Sequence, residues 1–238
     1  MRKFFQTSWF GIPFENFTIQ DSQHIASETF YTKFYDQFFQ KYYSYNDIEP
    51  QWCNTKDQVT QLVLSQIQNR TSVLSIGCGI GYVEDSLSKL WDGKLTVIDP
   101  AKSNVTRWLD TNTKIERILG YFPKDVPNNQ DFDFAYANAI DYVFTVDDFH
   151  LFLQSIQQYP ISEVLLISAS FQSSRLKDSL KYHLKQIASN LGLIPKGQFW
   201  GYLRTRKEYQ NALIDAGFNS FQDGFLENGT YWIKGIAK

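Results

Sequence analysis

The segment Val73-Leu-Ser-Ile-Gly77-Cys-Gly79-Ile-Gly81-Tyr-Val-Glu84 decides the fold of this chain. A short apolar run ends in three alternate glycines, and an apolar-periodic segment through Leu87 and Leu90 follows. This order predicts a buried parallel strand, a tight turn and a helix. Glycines suit such a turn because they adopt positive φ and let a ligand approach the backbone without meeting a Cβ atom. The first amides of the helix would then point at the turn and favour an anionic group.

Strand and helix patterns alternate on both sides of this segment. Thr55 and Gln58 match a capping box, which predicts a helix from Thr55 to Gln68. Further strands are predicted at 94–99, 115–119, 132–137 and 163–168. Further helices are predicted through 149–156, through 176–187, and after a second capping box at Thr205 and Glu208. The pair Asn228-Gly229 indicates a hairpin between two aromatic-rich strands at the end of the chain.

This alternation predicts the α/β class: a mostly parallel sheet with helices on both faces and an antiparallel C-terminal hairpin. With the two strands of the hairpin, the sheet has seven strands. In such sheets ligands bind outside the carboxyl ends of the strands, where the strand order reverses. The glycine turn, Asp99 and the loops at Gly120 and Asn138 should therefore meet along one edge.

The N-terminal part of the chain is rich in aromatic residues. Between Phe30 and Tyr43 these recur at i, i+4 and i+8, which predicts a helix with a broad aromatic face. Such a stripe serves packing, or it forms a lid over the glycine turn with Tyr31 or Tyr35 touching the ligand. We therefore predict an N-terminal helical lid over residues 1–54 and a Rossmann-like unit over residues 55–238, within a single domain.

The composition excludes several classes of protein. The 238 residues are 43% hydrophobic and 20% charged, which suits one globular domain. A net charge of -2 gives no reason to expect a nucleic-acid partner. No apolar run approaches a membrane span, and the N-terminus lacks the apolar core of a signal peptide, so we expect a cytoplasmic location and no membrane partner. The two cysteines and three histidines do not have the spacing of a metal site.

Asp99 ends the second predicted strand, at the distance from the glycines where a carboxylate accepts hydrogen bonds from ribose hydroxyls. The glycines follow G-x-G-x-G rather than the G-x-G-x-x-G of dinucleotide-binding proteins, and Tyr82 occupies the position of the third glycine of that fingerprint. A strand, a glycine turn, a helix and a second strand ending in Asp predict an adenosyl cofactor. A nicotinamide-dependent (NAD(P)) oxidoreductase is the alternative enzyme.

Residues 55–168 resemble class I S-adenosylmethionine (SAM)-dependent methyltransferases. The segment 73–81 resembles the first motif of that family, 95–99 the second, and 132–140 the fourth-strand motif. The resemblance implies SAM as the cofactor and a Rossmann-like fold. One position departs from the family pattern: Ser75 stands where an acidic residue usually precedes the first glycine by two positions.

The resemblance also implies which residues hold the cofactor. They are Gly77, Cys78 and Gly79 for the methionyl end and ribose, Asp99 for the ribose hydroxyls, Pro100 beside the adenine, Gly120, Tyr121 and Phe122 for the adenine pocket, and Asn138 near the methionyl group. Tyr35 and Lys56 are further candidates for methionyl contacts.

The reaction itself makes modest demands on the protein. A sulfonium methyl group is already activated, so the main task is alignment, and a base is needed only for a nucleophile with a high pKa. The candidate catalytic residues are Asp141 and Tyr142, directly after the fourth strand. Asp141 is interpreted as a base, as a clamp for an amine, or as a carboxylate that stabilises a helix N-terminus. Tyr142 is catalytic or packs.

Arg204 and Arg206 lie beside an aromatic segment, where they either clamp an anionic substrate or are solvated at the surface. The predicted function is methyl transfer to an oxygen or nitrogen of a small-molecule acceptor, because the aromatic N-terminus suits a closed pocket for a compact, partly apolar molecule. A non-catalytic binding module with the same fold is the alternative outside the enzymes.

Overall fold

The computed structural model describes residues 2–100, 105–127, 129–169, 171–172, 184, 187–189 and 191–237. Within these ranges the strands are β1 (Arg2–Gln6), β2 (Ser8–Trp9), β3 (Ile12–Pro13), β4 (Ser72–Ile76), β5 (Lys94–Asp99), β6 (Ile115–Leu119), β7 (Phe134–Asn138), β8 (Glu163–Ile167), β9 (Gln198–Leu203), β10 (Ser220–Phe225) and β11 (Tyr231–Ile236). The α-helices are α1 (Glu28–Lys41), α2 (Pro50–Ile67), α3 (Tyr82–Leu90), α4 (Val146–Ile156) and α5 (Arg206–Asp215). The helix predicted over 176–187 lies mostly outside the described residues.

Seven strands form the central sheet in the order β10-β11-β8-β7-β4-β5-β6. Strands β4 to β8 pair in parallel, whereas β11 runs antiparallel to both β8 and β10. The predicted mostly parallel sheet with an antiparallel C-terminal hairpin is therefore confirmed. Strand β4 has β5 on one side and β7 on the other, so the strand order reverses beside the glycine turn, which is where such sheets bind ligands.

Alternate residues of β4 enter two different cores, as the period of a strand requires. Val73 packs with α2 and α3 on one face, next to Val63 and Leu87. Leu74 packs on the opposite face with α4 and α5, next to Leu153 and Leu213. All six side chains are fully buried, each worth roughly 1.5–3 kcal/mol relative to exposure. Helices on both faces thus fix the sheet that carries the turn.

Helix α2 begins five residues earlier than predicted. Pro50 occupies its first turn, where a missing N–H costs nothing. Thr55 lies inside the helix, and its hydroxyl donates to the carbonyl of Gln51 at 3.0 Å, so the capping box at Thr55 was a wrong interpretation. The second capping box is confirmed, because the Glu208 amide donates to Thr205 Oγ1 at 3.3 Å and the Thr205 amide donates to Glu208 Oε2 at 2.7 Å.

The N-terminal residues are joined to the C-terminal half of the chain. Strand β1 pairs antiparallel with β9, and the predicted aromatic helix is α1. We call the following group of residues the aromatic cap: Trp9, Phe10, Phe14, Phe30, Tyr31, Phe34, Tyr35, Phe38, Tyr142 and Trp200. Helix α2 runs without a break across residues 54 and 55. None of the helices in the described part of the chain is long and apolar enough to cross a membrane.

Candidate active site

The glycine turn has the backbone that the sequence predicted. Gly77, Gly79 and Gly81 have φ of 74°, 56° and 77°, a region that side chains with a Cβ rarely adopt. A Cβ at Gly77 would lie 2.3 Å from Ile140 Cγ2. At Gly79 the nearest atom to a Cβ would be the Tyr35 hydroxyl, at 3.9 Å, so this glycine leaves its backbone open to a ligand.

A cavity of about 380 Å³ lies over this turn, a size within the range of small-molecule sites. Every residue assigned to the cofactor from the sequence lines this cavity. They are Tyr35, Lys56, Gly77, Cys78, Gly79, Asp99, Pro100, Gly120, Tyr121, Phe122 and Asn138. The structure therefore brings together residues from α1, α2 and the carboxyl ends of four strands.

Asp99 is anchored to the glycine turn. Its Oδ2 atom accepts a hydrogen bond from the Gly79 amide at 2.8 Å. The Gly77 amide donates to the carbonyl of Ile98 at 2.8 Å, which ties the turn to β5 as well. A carboxylate can accept about four hydrogen bonds, so the group that holds the amide can also bind hydroxyls.

Lys56 brings a cation to the opposite side of the turn. Its Nζ atom donates to Asn138 Oδ1 at 3.3 Å and lies 5.5 Å from the centre of the Trp52 ring. Burial lowers the pKa of Lys56 to about 8, and the negative charge of Glu84 opposes that shift. The ammonium is therefore still mostly protonated at neutral pH, and it can pair with a carboxylate in the cavity.

Glu84 is a residue of this region that the sequence reasoning missed. Its Oε1 atom accepts hydrogen bonds from Ser75 Oγ at 2.6 Å and from the Tyr136 hydroxyl at 2.8 Å. The Ser75 position thus has a carboxylate after all, supplied by α3. The signal in the sequence was spacing, because Glu84 shares the buried face of α3 with Leu87 and Ser88, an unusual place for an acid.

Tyr31 and Tyr142 form a pair of hydroxyls in the cavity wall, 3.0 Å apart. Tyr142 also stacks on Trp200, with ring centres 5.9 Å apart. Burial raises the pKa of Tyr31 to about 12 and raises the pKa of Tyr142 well above its ordinary value. Both phenols therefore stay protonated near neutral pH, where they can orient a polar atom by hydrogen bonding.

The side chain of Asp141 lies in the protein interior, whereas that of Tyr142 lines the cavity. The carboxylate is 4% exposed, accepts from the Ala169 amide at 2.9 Å, and is hydrogen-bonded to Tyr209 and Ser168. Burial raises its pKa. Ile140, Tyr142 and Val143 line the cavity, whereas these contacts direct Asp141 into the protein interior, where it joins the loop after β7 to β8 and α5.

Neither interpretation of Arg204 was correct. Its side chain is 2% exposed and donates to the backbone carbonyls of Asp141, Phe144 and Thr145. The guanidinium is thus neither solvated nor turned to a substrate; it fixes the segment that carries Tyr142. Arg206 is largely exposed and pairs with Asp223 at 2.5 Å.

Neither a family model nor a curated protein matches the chain, but solved structures do. Magnesium protoporphyrin IX methyltransferase from Synechocystis PCC 6803, with bound SAH (S-adenosylhomocysteine), has a TM-score of 0.57 at 15% identity, over 78% of this chain and 83% of that one. Human N-acetylserotonin methyltransferase in complex with SAM has a TM-score of 0.60 at 19% identity, over 89% and 56%. The mitomycin 7-O-methyltransferase has a TM-score of 0.61 at 15% identity, over 88% and 57%.

The chain thus spans just over half the length of the last two of these proteins. What the likeness to the three structures shows is a shared fold. That likeness agrees with the reversal of strand order beside the glycine turn and with Asp99 at the end of the next strand. The chain has the fold of the class I SAM-dependent methyltransferases.

Proposed function

We propose that the chain is a SAM-dependent methyltransferase that transfers a methyl group to an oxygen or nitrogen atom of a small-molecule acceptor. One observation carries the proposal. Where the strand order reverses, the cavity is lined by a glycine turn with open backbone and by Asp99, and the Gly79 amide of that turn donates a hydrogen bond to the Asp99 carboxylate. The names of the three similar structures, all methyltransferases, support the same reaction class.

The residues of the cavity fit each part of SAM. Asp99 would accept hydrogen bonds from the ribose hydroxyls, and the backbone at Gly79 is open to close approach. Pro100 and Phe122 would flank the adenine. Lys56 and Asn138, which are bonded to each other, would hold the methionyl end, because an ammonium pairs with its carboxylate. When bound, SAM supplies a methyl group on a sulfonium, which needs no further activation.

The protein would then align the reactants and exclude water. The rings of Trp9 and Tyr35 line the cavity, which offers an apolar space for the acceptor. The hydroxyls of Tyr31 and Tyr142 would orient the acceptor's polar atom. Because both stay protonated, they act as hydrogen-bond partners, and a neutral amine or an ionised oxygen needs no base from them.

Mass spectrometry of small molecules that co-purify with the chain, followed by transfer assays with methyl-labelled SAM and a broad set of metabolites, tests the proposal. We expect SAM or SAH in the purified protein, and label in at least one acceptor. Retention of a nicotinamide dinucleotide instead would indicate an oxidoreductase. Bound SAH with no transfer to any acceptor would indicate a binding module.

A further inference from the structure

A buried polar cluster lies directly beneath the glycine turn. Ser75 and Tyr136 face each other in the parallel pairing of β4 and β7, and both hydroxyls donate to the Glu84 carboxylate. All three residues are 1% exposed or less. A carboxylate in such a place is costly unless it is hydrogen-bonded and its charge is balanced.

The same two strands lead from this cluster to the cavity. Gly77 follows Ser75 by two residues and Asn138 follows Tyr136 by two, so each pair lies on one face of the sheet. Ser75 and Tyr136, which hold Glu84, are thus the nearest positions on the same face of the sheet before Gly77 and Asn138, which line the cavity. Asn138 also accepts a hydrogen bond from Lys56.

Glu84 and Lys56 also act on each other through charge. Burial lowers the pKa of Lys56 and raises the pKa of Glu84. The hydrogen bonds from Ser75 and Tyr136 and the charge of Lys56 oppose the rise at Glu84, and the charge of Glu84 opposes the fall at Lys56. Other titratable groups that share the cavity with Lys56 come from α1, the turn, α3, β5 and the loops after β6 and β7: they are Glu28, Tyr31, Tyr35, Cys78, Tyr82, Asp99, Tyr121 and Tyr142. Burial raises the pKa of the other tyrosines and of Cys78, and the hydrogen bond to Glu28 raises the pKa of Tyr121, so the tyrosines and Cys78 are uncharged at neutral pH.

We propose that Glu84 is a positioning residue of the cofactor site: held by Ser75 and Tyr136, its charge keeps the Lys56 ammonium protonated and available to the methionyl carboxylate. The proposal rests on the proposed SAM site. It gives Glu84 on α3 a role in cofactor binding although this residue lies outside the glycine turn. It also makes cofactor affinity depend on pH through Glu84, which does not touch the cofactor.

The test is a titration of Lys56 in the free protein, by NMR of its Cε and Nζ atoms, in the wild type and in Glu84→Gln. Glutamine keeps the shape and an oxygen that accepts from Ser75 and Tyr136, so the variant removes the charge alone. We expect the midpoint near pH 8 in the wild type and about one pH unit lower in Glu84→Gln. Glu227→Gln, at the exposed C-terminal turn, is the matched control and should leave the midpoint unchanged.

Calorimetry with SAH from pH 6 to 9 gives the second readout. Wild-type affinity should be full below the Lys56 midpoint and fall as the pH rises through it. In Glu84→Gln the fall should begin at lower pH, with affinity about fivefold weaker than wild type near pH 8 and about tenfold weaker by pH 9. In Lys56→Met only the titration of the ligand's own amine should remain, and Glu84→Gln should add nothing to it.

Coincident Lys56 midpoints in the wild type and Glu84→Gln would overturn the inference, even if the variant is less stable. A shifted midpoint with an unshifted affinity profile would also overturn it, because Lys56 would then not serve the cofactor. Absence of SAH binding by the wild type at every pH is a different result: it would remove the proposed function itself.

Discussion

Two regions line the same cavity and are built in different ways. The cofactor side consists of backbone: three glycines with positive φ, the Gly79 amide on Asp99, and the ends of parallel strands. The aromatic cap consists of side chains packed against each other, such as Trp9 on Phe34 with ring centres 4.8 Å apart and Phe14 on Trp200 at 5.2 Å.

This difference between backbone and side chains indicates which region would bind the cofactor and which would select the acceptor. A backbone site depends on a short local pattern that many sequences can satisfy, so it can be common to a fold whose members share less than a fifth of their residues. A packed aromatic wall depends on particular rings brought together from distant parts of the chain. We therefore propose that the first region binds the cofactor and that the second selects the acceptor.

The largest effect is expected from a deletion of packing in the aromatic cap. Phe34→Ala removes a ring with no exposed surface, and such changes cost about 3–5 kcal/mol. If the cap is part of the single core, thermal unfolding should remain one transition and shift down by roughly 6–20 °C. Tyr43→Ala, at a position 80% exposed, is the control and should change little. A main transition that stays in place would mean that the cap folds as a separate lid.

Gly77→Ala should damage the cofactor side without involving the cap. The positive φ alone costs about 1–3 kcal/mol, and the new Cβ would meet Ile140 at 2.3 Å. We expect SAH binding to fall below detection in calorimetry. The matched control is Gly229→Ala, where φ is 83° and no atom lies within 4 Å. That variant should lose some stability and keep its affinity. Equal affinities for the two variants would contradict a ligand at the turn.

Asp99→Ala tests the side chain of the cofactor region. The loss of a charge-assisted hydrogen bond should weaken SAH binding by about 1.5–3 kcal/mol, or about 10- to 150-fold in Kd. Asp99→Asn keeps one acceptor oxygen, so its affinity for SAH should fall between that of the wild type and that of Asp99→Ala. An unchanged calorimetric affinity in Asp99→Ala would exclude the ribose contact.

The smallest effect is expected from Tyr142→Phe, which removes one hydroxyl of the Tyr31 pair. A hydrogen bond of this kind is worth about 0.5–1.5 kcal/mol, so kcat/KM for an identified acceptor should fall about 2- to 12-fold while the affinity for SAH stays the same. Tyr43→Phe serves as the control. A loss of a thousandfold or more in kcat would instead make Tyr142 a catalytic acid or base.

The cofactor side could be predicted from the sequence because the pattern that defines it is short and local. A strand, three glycines and a carboxylate at the end of the next strand all fall within residues 73–99. The strands 94–99 and 115–119 were predicted with the bounds that the structure has. Helix α2 was misjudged because Thr55 offers a cap that the chain does not use, once Pro50 has started the helix.

What the sequence did not reveal depends on partners from far along the chain. Arg204 donates to carbonyls near residues 141–145. Glu84 accepts from Tyr136, 52 residues away, besides the nearby Ser75. The direction of Asp141 is set by Tyr209 and the Ala169 amide. Of these buried residues, Glu84 is the one that helical spacing could have identified, because it is a charged residue on the apolar face of α3.

A crystal structure of the chain grown with SAH tests the central claim most directly. We expect the ribose hydroxyls within hydrogen-bond distance of Asp99, the homocysteine carboxylate on Lys56, and the adenine beside Phe122. A cavity that stays empty at saturating SAH, or SAH bound elsewhere on the molecule, would contradict the account.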